Sequence, residues 1–205
     1  MTEEAAVRAI LARDHWVFDL DGTLTEPVHD FAAIRAELGI PDGVDILGHI
    51  DGQPAAEARR LHARLDAIEE ELAGRAVASA GAVRLVAALA GRGVQMGIVT
   101  RNTKRIALRV LATIGVGEHF APEHVIGRHE ASPKPDPEGI ARLGAVWGAA
   151  GGAMVMVGDY LFDLQSGRAA GAATVHVDPS RSFRWPELTD LAVGSLEELA
   201  GLISE

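Results

Sequence analysis

Asp19 and Asp21 stand in the segment Asp19-Leu20-Asp21-Gly22-Thr23, at the end of an apolar run that begins at Trp16. Carboxylates two positions apart at a strand end point to the same side. Such a pair can divide labour, one acting as nucleophile and the other as general acid/base. A plain Asp-Gly turn is the alternative reading of the same residues. A second acidic turn, from Gly158 through Asp159 to Asp163, follows the apolar residues 154–157. Asp159 and Asp163 are four apart and would share a face on a first helical turn. They suit a hard cation such as Mg²⁺, or they serve the helix as N-cap and dipole partner.

Two further motifs complete the set. Only Lys104 and Lys134 are lysines among the 19 basic residues, and Lys134 is clamped between Pro133 and Pro135. A compact ammonium in a chain that otherwise uses arginine suggests a site needing a point charge, although a loop lysine is ordinarily just solvated. Thr100, Arg101 and Asn102 follow the strand-like residues 94–99 and precede a helical pattern. A hydroxyl with backbone N–H groups at a helix N-terminus suits a phosphate oxygen, and an N-cap would look the same. Carboxylates for a hard cation, one ammonium and a hydroxyl are together the parts of a phosphoryl-transfer site.

The elements that must position these groups alternate. Short apolar runs at residues 16–20, 94–99, 124–126, 154–157 and 174–177 read as strands covered on both faces. Helical patterns occupy residues 80–92, 103–114, 137–149, 161–170 and 195–203, several ended by Gly. Repeated β-α units imply an α/β fold with a parallel, doubly wound sheet. Ligands of such sheets bind beyond the carboxyl ends of the strands, where all of these motifs lie.

Residues 28–75 break the rhythm. They read as a helix over 28–38, a Gly/Pro/Asp-rich connection over 39–54 and a second helix over 55–73. The second helix carries Leu61, Leu65, Ile68 and Leu72 at helical spacing, beside Arg59, Arg60 and Arg64. This predicts a small helical module inserted after the first strand, as a lid over the crevice. His49 and the three arginines are candidates to meet a substrate carboxylate or second phosphate; solvated helix residues are the competing reading. His15, His119, His124 and His176, Trp147 and Trp185 read as structural.

Composition narrows the function classes. The 205 residues suit one domain with a small insertion. A net charge of −10 argues against nucleic acid or an anionic membrane as the main partner. An anionic small substrate would therefore need a local positive field. With zero cysteines there are no disulfides and no thiol chemistry, which fits a cytoplasmic protein. No apolar run reaches membrane-spanning length, and the N-terminus lacks a signal-peptide pattern. A monomer or homodimer is expected.

In their order along the chain, Asp-x-Asp-Gly-Thr, Thr100, Lys134 and Gly-Asp-x-x-x-Asp resemble the motifs of the haloacid dehalogenase superfamily. The closest likeness is to its phosphoglycolate-phosphatase-like branch, which carries a helical cap after the first motif. The resemblance covers residues 14–178. It implies a Rossmann-like core over residues 1–25 and 76–205 and a cap over 26–75, shorter than is typical of the branch. It also implies an aspartyl-phosphate on Asp19, with Asp21 protonating the leaving alcohol and then activating water. Thr100 with the amides around Arg101 and Asn102 would hold phosphoryl oxygens, and Lys134 would neutralise the transferring group. Mg²⁺ would sit between Asp19, Asp159 and the backbone carbonyl of Asp21, with Asp163 acting directly or through water. Asp21 argues against dehalogenation, and the absence of lysine from residues 1–103 argues against Schiff-base chemistry in the cap. What remains is an Mg²⁺-dependent phosphatase for a small phosphorylated metabolite, with a sugar phosphomutase or a non-catalytic phosphometabolite binder as alternatives.

Overall fold

The computed structural model describes residues 2–27 and 30–204. Along the chain they form α1 (Glu3–Leu11), β1 (His15–Phe18), α2 (Phe31–Leu38), α3 (Ile46–Asp51), α4 (Ala55–Ala73) and α5 (Ala82–Gly91). There follow β2 (Gln95–Val99), α6 (Lys104–Thr113), β3 (Val125–Ile126), α7 (Glu138–Trp147) and β4 (Met154–Gly158). The chain ends with α8 (Leu161–Ala169), β5 (Ala173–Val177), β6 (Leu191–Val193) and α9 (Leu196–Ser204). Among the described residues no helix is long and apolar enough to cross a membrane.

The strands pair in parallel in the order β3-β2-β1-β4-β5-β6. After β1 the chain builds outward on one side through β2 and β3, then returns to the other side of β1 with β4. The switch point lies between β1 and β4, where a parallel sheet opens a crevice beyond its carboxyl edge. Alternation along β1 sends Trp16 and Phe18 into one apolar cluster with residues of α1, α5, α6 and α9. Val17 goes to the opposite face with Ile140 and Leu143 of α7. Burial on both faces explains why the strands read as continuous apolar runs rather than alternating ones.

Residues 31–73 build a separate apolar cluster from Ile34, Leu38, Ile40, Ile46, Leu47, Ile50, Leu61 and Leu65. The chain leaves for this module and returns from it side by side. The Glu26 amide donates to the Val77 carbonyl at 2.9 Å, and the Ser79 amide donates to the Leu24 carbonyl at 2.9 Å.

The local sequence reading needs three adjustments. The helix expected from residue 28 begins at Phe31 with Asp30 as its N-cap; positions 28 and 29 lie outside the described residues. The expected connection over 39–54 contains α3, whose N-cap Asp45 accepts from the Gly48 amide at 2.8 Å. Helix α1 and the three-residue strand β6 were not foreseen. The first is short and precedes the repeating rhythm, and the second is a brief, partly exposed edge strand rather than a continuous buried apolar run.

Because Ile50 is fully buried in the small cluster, Ile50→Ala is expected to cost the module about 2–4 kcal/mol. Amide exchange should then quicken in α2–α4 while the amides of β1, β2 and β4 keep their protection. Equal loss across the sheet would show that the module has no cooperativity of its own.

Candidate active site

Asp19 follows β1 directly, and its amide extends the ladder by donating to the Val157 carbonyl of β4 at 2.9 Å. The side chains of Asp19 and Asp21 both reach one cavity at the switch point. Gly22 makes that turn possible in two ways. Its φ is +87°, and a Cβ there would fall 2.7 Å from Asp159 Oδ2, so only glycine lets the two acidic turns approach. Thr23 ties them together, its hydroxyl donating to Asp159 Oδ1 at 3.0 Å. The Asp-Gly turn and the presentation of carboxylates are therefore one feature.

Lys134 comes from the turn between β3 and α7 and is 4% exposed. Its ammonium binds Asp19 Oδ1 and lies 2.7 Å from Asp163 Oδ1. Burial works to lower the Lys134 pKa, but the Asp163 and Asp19 carboxylates outweigh it and hold it above the ordinary lysine value. The Asp163 carboxylate also accepts from the Tyr160 amide at 3.0 Å, so both its oxygens have protein partners. Asp159 precedes the N-cap of α8 rather than standing on the helix. The shared helical face expected of Asp159 and Asp163 is thus replaced by a turn and a first turn that converge.

Oxygens of Asp19, Asp159 and Asp163 lie within 4.8 Å of one another, with one ammonium among them. Burial, with the Asp19 and Asp163 charges, pushes Asp159 up to about 8. Burial also raises Asp163 to about 6, the Lys134 ammonium opposing it. Three carboxylates, those of Asp19 and Asp163 buried and that of Asp159 half-buried, against one cation are an excess of negative charge on hard oxygen donors. That donor set fits a divalent cation such as Mg²⁺.

Asp21 accepts from the Asn102 side-chain amide at 2.6 Å, and burial lifts it to about 6. Thr100 is buried at the end of β2. The helix N-terminus expected for the 100–102 loop is in fact capped by Thr103. Two loop amides already have acceptors: that of Thr100 donates to the Ile126 carbonyl at 3.0 Å, and that of Asn102 to Thr100 Oγ1 at 3.1 Å. Arg101 reaches the cavity held by Asp45 at 2.5 Å and stacked over the Phe162 ring.

The cavity is about 410 Å³. Its floor holds Asp19, Asp21, Thr100, Asn102, Lys134, Asp159 and Asp163, which the sequence had singled out. Its roof is the helical module, but through other residues than those expected. Arg35, Asp45, Glu69, Phe31, Ile34 and Leu65 line it, whereas His49, Arg59, Arg60 and Arg64 do not. Arg60 pairs with Glu57 at 2.6 Å, Arg64 with Glu37, and His49 packs on Gln53; Arg59 is exposed. These four are corrected to surface and intramodule positions, because the face of α4 turned inward is the one carrying Leu61, Leu65, Glu69 and Ala73. Glu69 left a signal: a charge at a position of an apolar stripe. His124 accepts from the Trp147 indole at 3.1 Å and is structural, as expected.

A family model of haloacid dehalogenase-like hydrolases matches residues 14–171. The chain belongs to that family. It is 31% identical to N-acetylmuramic acid 6-phosphate phosphatase of Pseudomonas putida, over 78% of this chain and 81% of that one. It is 27% identical to phosphoglycolate phosphatase of Chromobacterium violaceum, over 91% of this chain and 94% of the other. Among solved structures, β-phosphoglucomutase of Clostridium difficile superposes with a TM-score of 0.75 at 16% identity, covering 91% and 93% of the two chains. That last likeness concerns the fold. The haloacid dehalogenase-like chain is thus a hydrolase of the phosphoglycolate-phosphatase-like branch, with phosphatases for relatives.

Asp159→Asn removes the half-buried carboxylate of the cluster while keeping shape and a partner for Thr23. In chelator it is expected to raise the melting temperature by a few degrees, about 1 kcal/mol or more, and added Mg²⁺ is expected to raise it further in the wild type but not in the variant. Thermal unfolding with and without metal checks both.

Proposed function

We infer that this protein is an Mg²⁺-dependent phosphomonoesterase that hydrolyses a small phosphorylated metabolite through an aspartyl-phosphate on Asp19. The observation that carries the reading is the convergence of Asp19, Asp159, Asp163 and Lys134 at the switch point, beneath a cavity with room for a sugar-sized ester. In this reading residues 26–75 act as a cap over a core of residues 1–25 and 76–205.

Asp19 attacks phosphorus, and the bond from phosphorus to the ester oxygen breaks. Asp21 gives that oxygen its proton, and the alcohol leaves. Asp21, now a carboxylate, takes a proton from water as the water attacks the aspartyl-phosphate, which restores Asp19 and frees phosphate. The buried setting of Asp21 supports this exchange, since it keeps the carboxyl protonatable near neutrality. The Thr100 hydroxyl and the Arg101 amide face the phosphoryl oxygens, and Lys134 offsets the charge between nucleophile and phosphate. Mg²⁺, held by Asp19, Asp159 and the Asp21 carbonyl, would let two anions approach one another. Both oxygens of Asp163 are engaged by Lys134 and the Tyr160 amide, which favours an indirect part for it, through the lysine or through water. Relatives that hydrolyse phosphoglycolate and a phosphorylated amino sugar support the substrate class. A cytoplasmic setting and a monomeric or homodimeric state complete the reading.

Phosphate release from a panel of small esters should require Mg²⁺ and fall at least about 10⁴-fold in Asp19→Asn. Lys134→Met should lose about 10³-fold in kcat. Stoichiometric ligand binding without turnover would favour a non-catalytic binder, and turnover surviving in Asp19→Asn would remove the nucleophile from its role.

A further inference from the structure

Arg128 is a buried charge that the chemistry above does not use. It stands in the turn after β3, its side chain 3% exposed, between the helical module and the 100–102 loop. From α4, Asp66 meets its Nη2, and Glu69 accepts from its Nη1 at 2.9 and 3.0 Å. Asp66 and Glu69 are three apart and present both carboxylates on one helix face. The Glu69 side chain is itself only 8% exposed.

On its other side Arg128 holds the loop twice. Its Nη1 donates to the Arg101 carbonyl at 3.0 Å, and its backbone amide donates to the Asn102 carbonyl at 2.9 Å. The approach is close enough to require the preceding glycine: a Cβ on Gly127 would lie 2.4 Å from the Lys104 amide nitrogen and 2.7 Å from the Asn102 carbonyl oxygen. Asn102, pinned in this way, donates its side-chain amide to Asp21 Oδ2 at 2.6 Å. An unbroken chain of hydrogen bonds therefore runs from α4 through Arg128 and Asn102 to Asp21.

We propose that Arg128 is a positioning residue through which the docked cap helix α4 sets the orientation of Asp21 for proton transfer. The guanidinium is suited to this because its planar fork fixes direction as well as charge. Docking of α4 brings Asp66 and Glu69 to the guanidinium; the guanidinium and amide of Arg128 fix two successive carbonyls; and those carbonyls fix Asn102 against Asp21. Proton donation to the leaving group is thereby tied to the presence of the cap. This rests on the reading of Asp21 as the proton donor.

A leaving-group comparison tests it. kcat/KM would be measured for p-nitrophenyl phosphate, whose leaving group needs little protonation, and for benzyl phosphate, whose alkoxide needs it fully. In Arg128→Met, benzyl phosphate is expected to lose roughly 10- to 100-fold more than p-nitrophenyl phosphate. Asn102→Ala should show the same bias, and Arg128→Met in that background should add nothing further to it, since both act on one group. The pair Asp66→Asn and Glu69→Gln keeps shape and leaves no buried carboxylate unpaired. It should reproduce the bias from the cap side even where Arg128→Met folds poorly. Equal losses on the two esters in both the Arg128 and the cap variants, alongside a strong bias in Asp21→Asn, would overturn the role of Arg128 and leave that of Asp21 standing. An unbiased Asp21→Asn would instead remove the proton donor, and the proposal with it.

Discussion

The structure depends on one buried ammonium. Lys134 is held between Asp19 and Asp163 with almost no exposure, and stripping water from an ammonium is costly unless its partners are fixed. The three groups come from the turn before α7, the end of β1 and the first turn of α8. Their contact therefore fastens the central strands to the crossing that follows β3. Parallel topology makes this possible, because β1 and β4 both end at the same edge of the sheet. Once the carboxylates are gathered there, Lys134 balances only part of their charge. Burial first, and then the uncompensated charges of Asp19 and Asp163, raise Asp159. Such a surplus of hard oxygen donors fits a divalent cation.

The helical module meets the core by different means. Its own cohesion is apolar, and beside the apolar contact of Ala73 with the core cluster its links to the core include charged pairs: Asp45 with Arg101, Glu70 with Arg105 and Arg109, Asp66 and Glu69 with Arg128. The pairs of Glu70 are largely exposed on their arginine side and contribute little individually. Arg128 differs in being buried, so removing one of its partners would strand a charge in a dry place.

How much of this was legible depended on whether the signal was local. Asp19, Asp21, Asp159 and Asp163 could be read because each acidic turn follows an apolar run, and Lys134 because it is one of two lysines and lies between two prolines; the topology of a parallel sheet brings strand ends together. The strands β1 to β5 and the extent of α4 followed from apolar runs, period and length. The roof of the cavity did not. Arg59, Arg60 and Arg64 drew attention as cations on a helix, yet their spacing beside Leu61 and Leu65 places them on the outward side. Asp45 looked like part of a connection, and only its bond to the Gly48 amide reveals a cap. Arg128 had no period to mark it. Its importance comes from four partners at sequence distances of 26 to 62 residues, which no local pattern encodes.

Floor and roof of the cavity thus answer to separate demands. The floor is built from strand ends whose geometry the sheet dictates, and its charges must be placed to fractions of an ångström for phosphorus chemistry. The roof is a set of apolar and aromatic side chains, with Phe31, Ile34 and Leu65 from the module facing Tyr160 and Phe162 from the start of α8. Apolar walls distinguish ligands weakly, by size and shape, whereas buried polar groups reject a poor partner strongly. On the proposed function, discrimination among esters would fall to the few polar groups that reach the roof: Arg35, Asp45, Glu69 and Arg101. Two of them, Glu69 and Arg101, also belong to the network around Arg128. If Asp21 is the proton donor proposed above, a leaving group that disturbs either one would disturb the route by which Asp21 is held, so recognition and proton transfer would meet on the same residues.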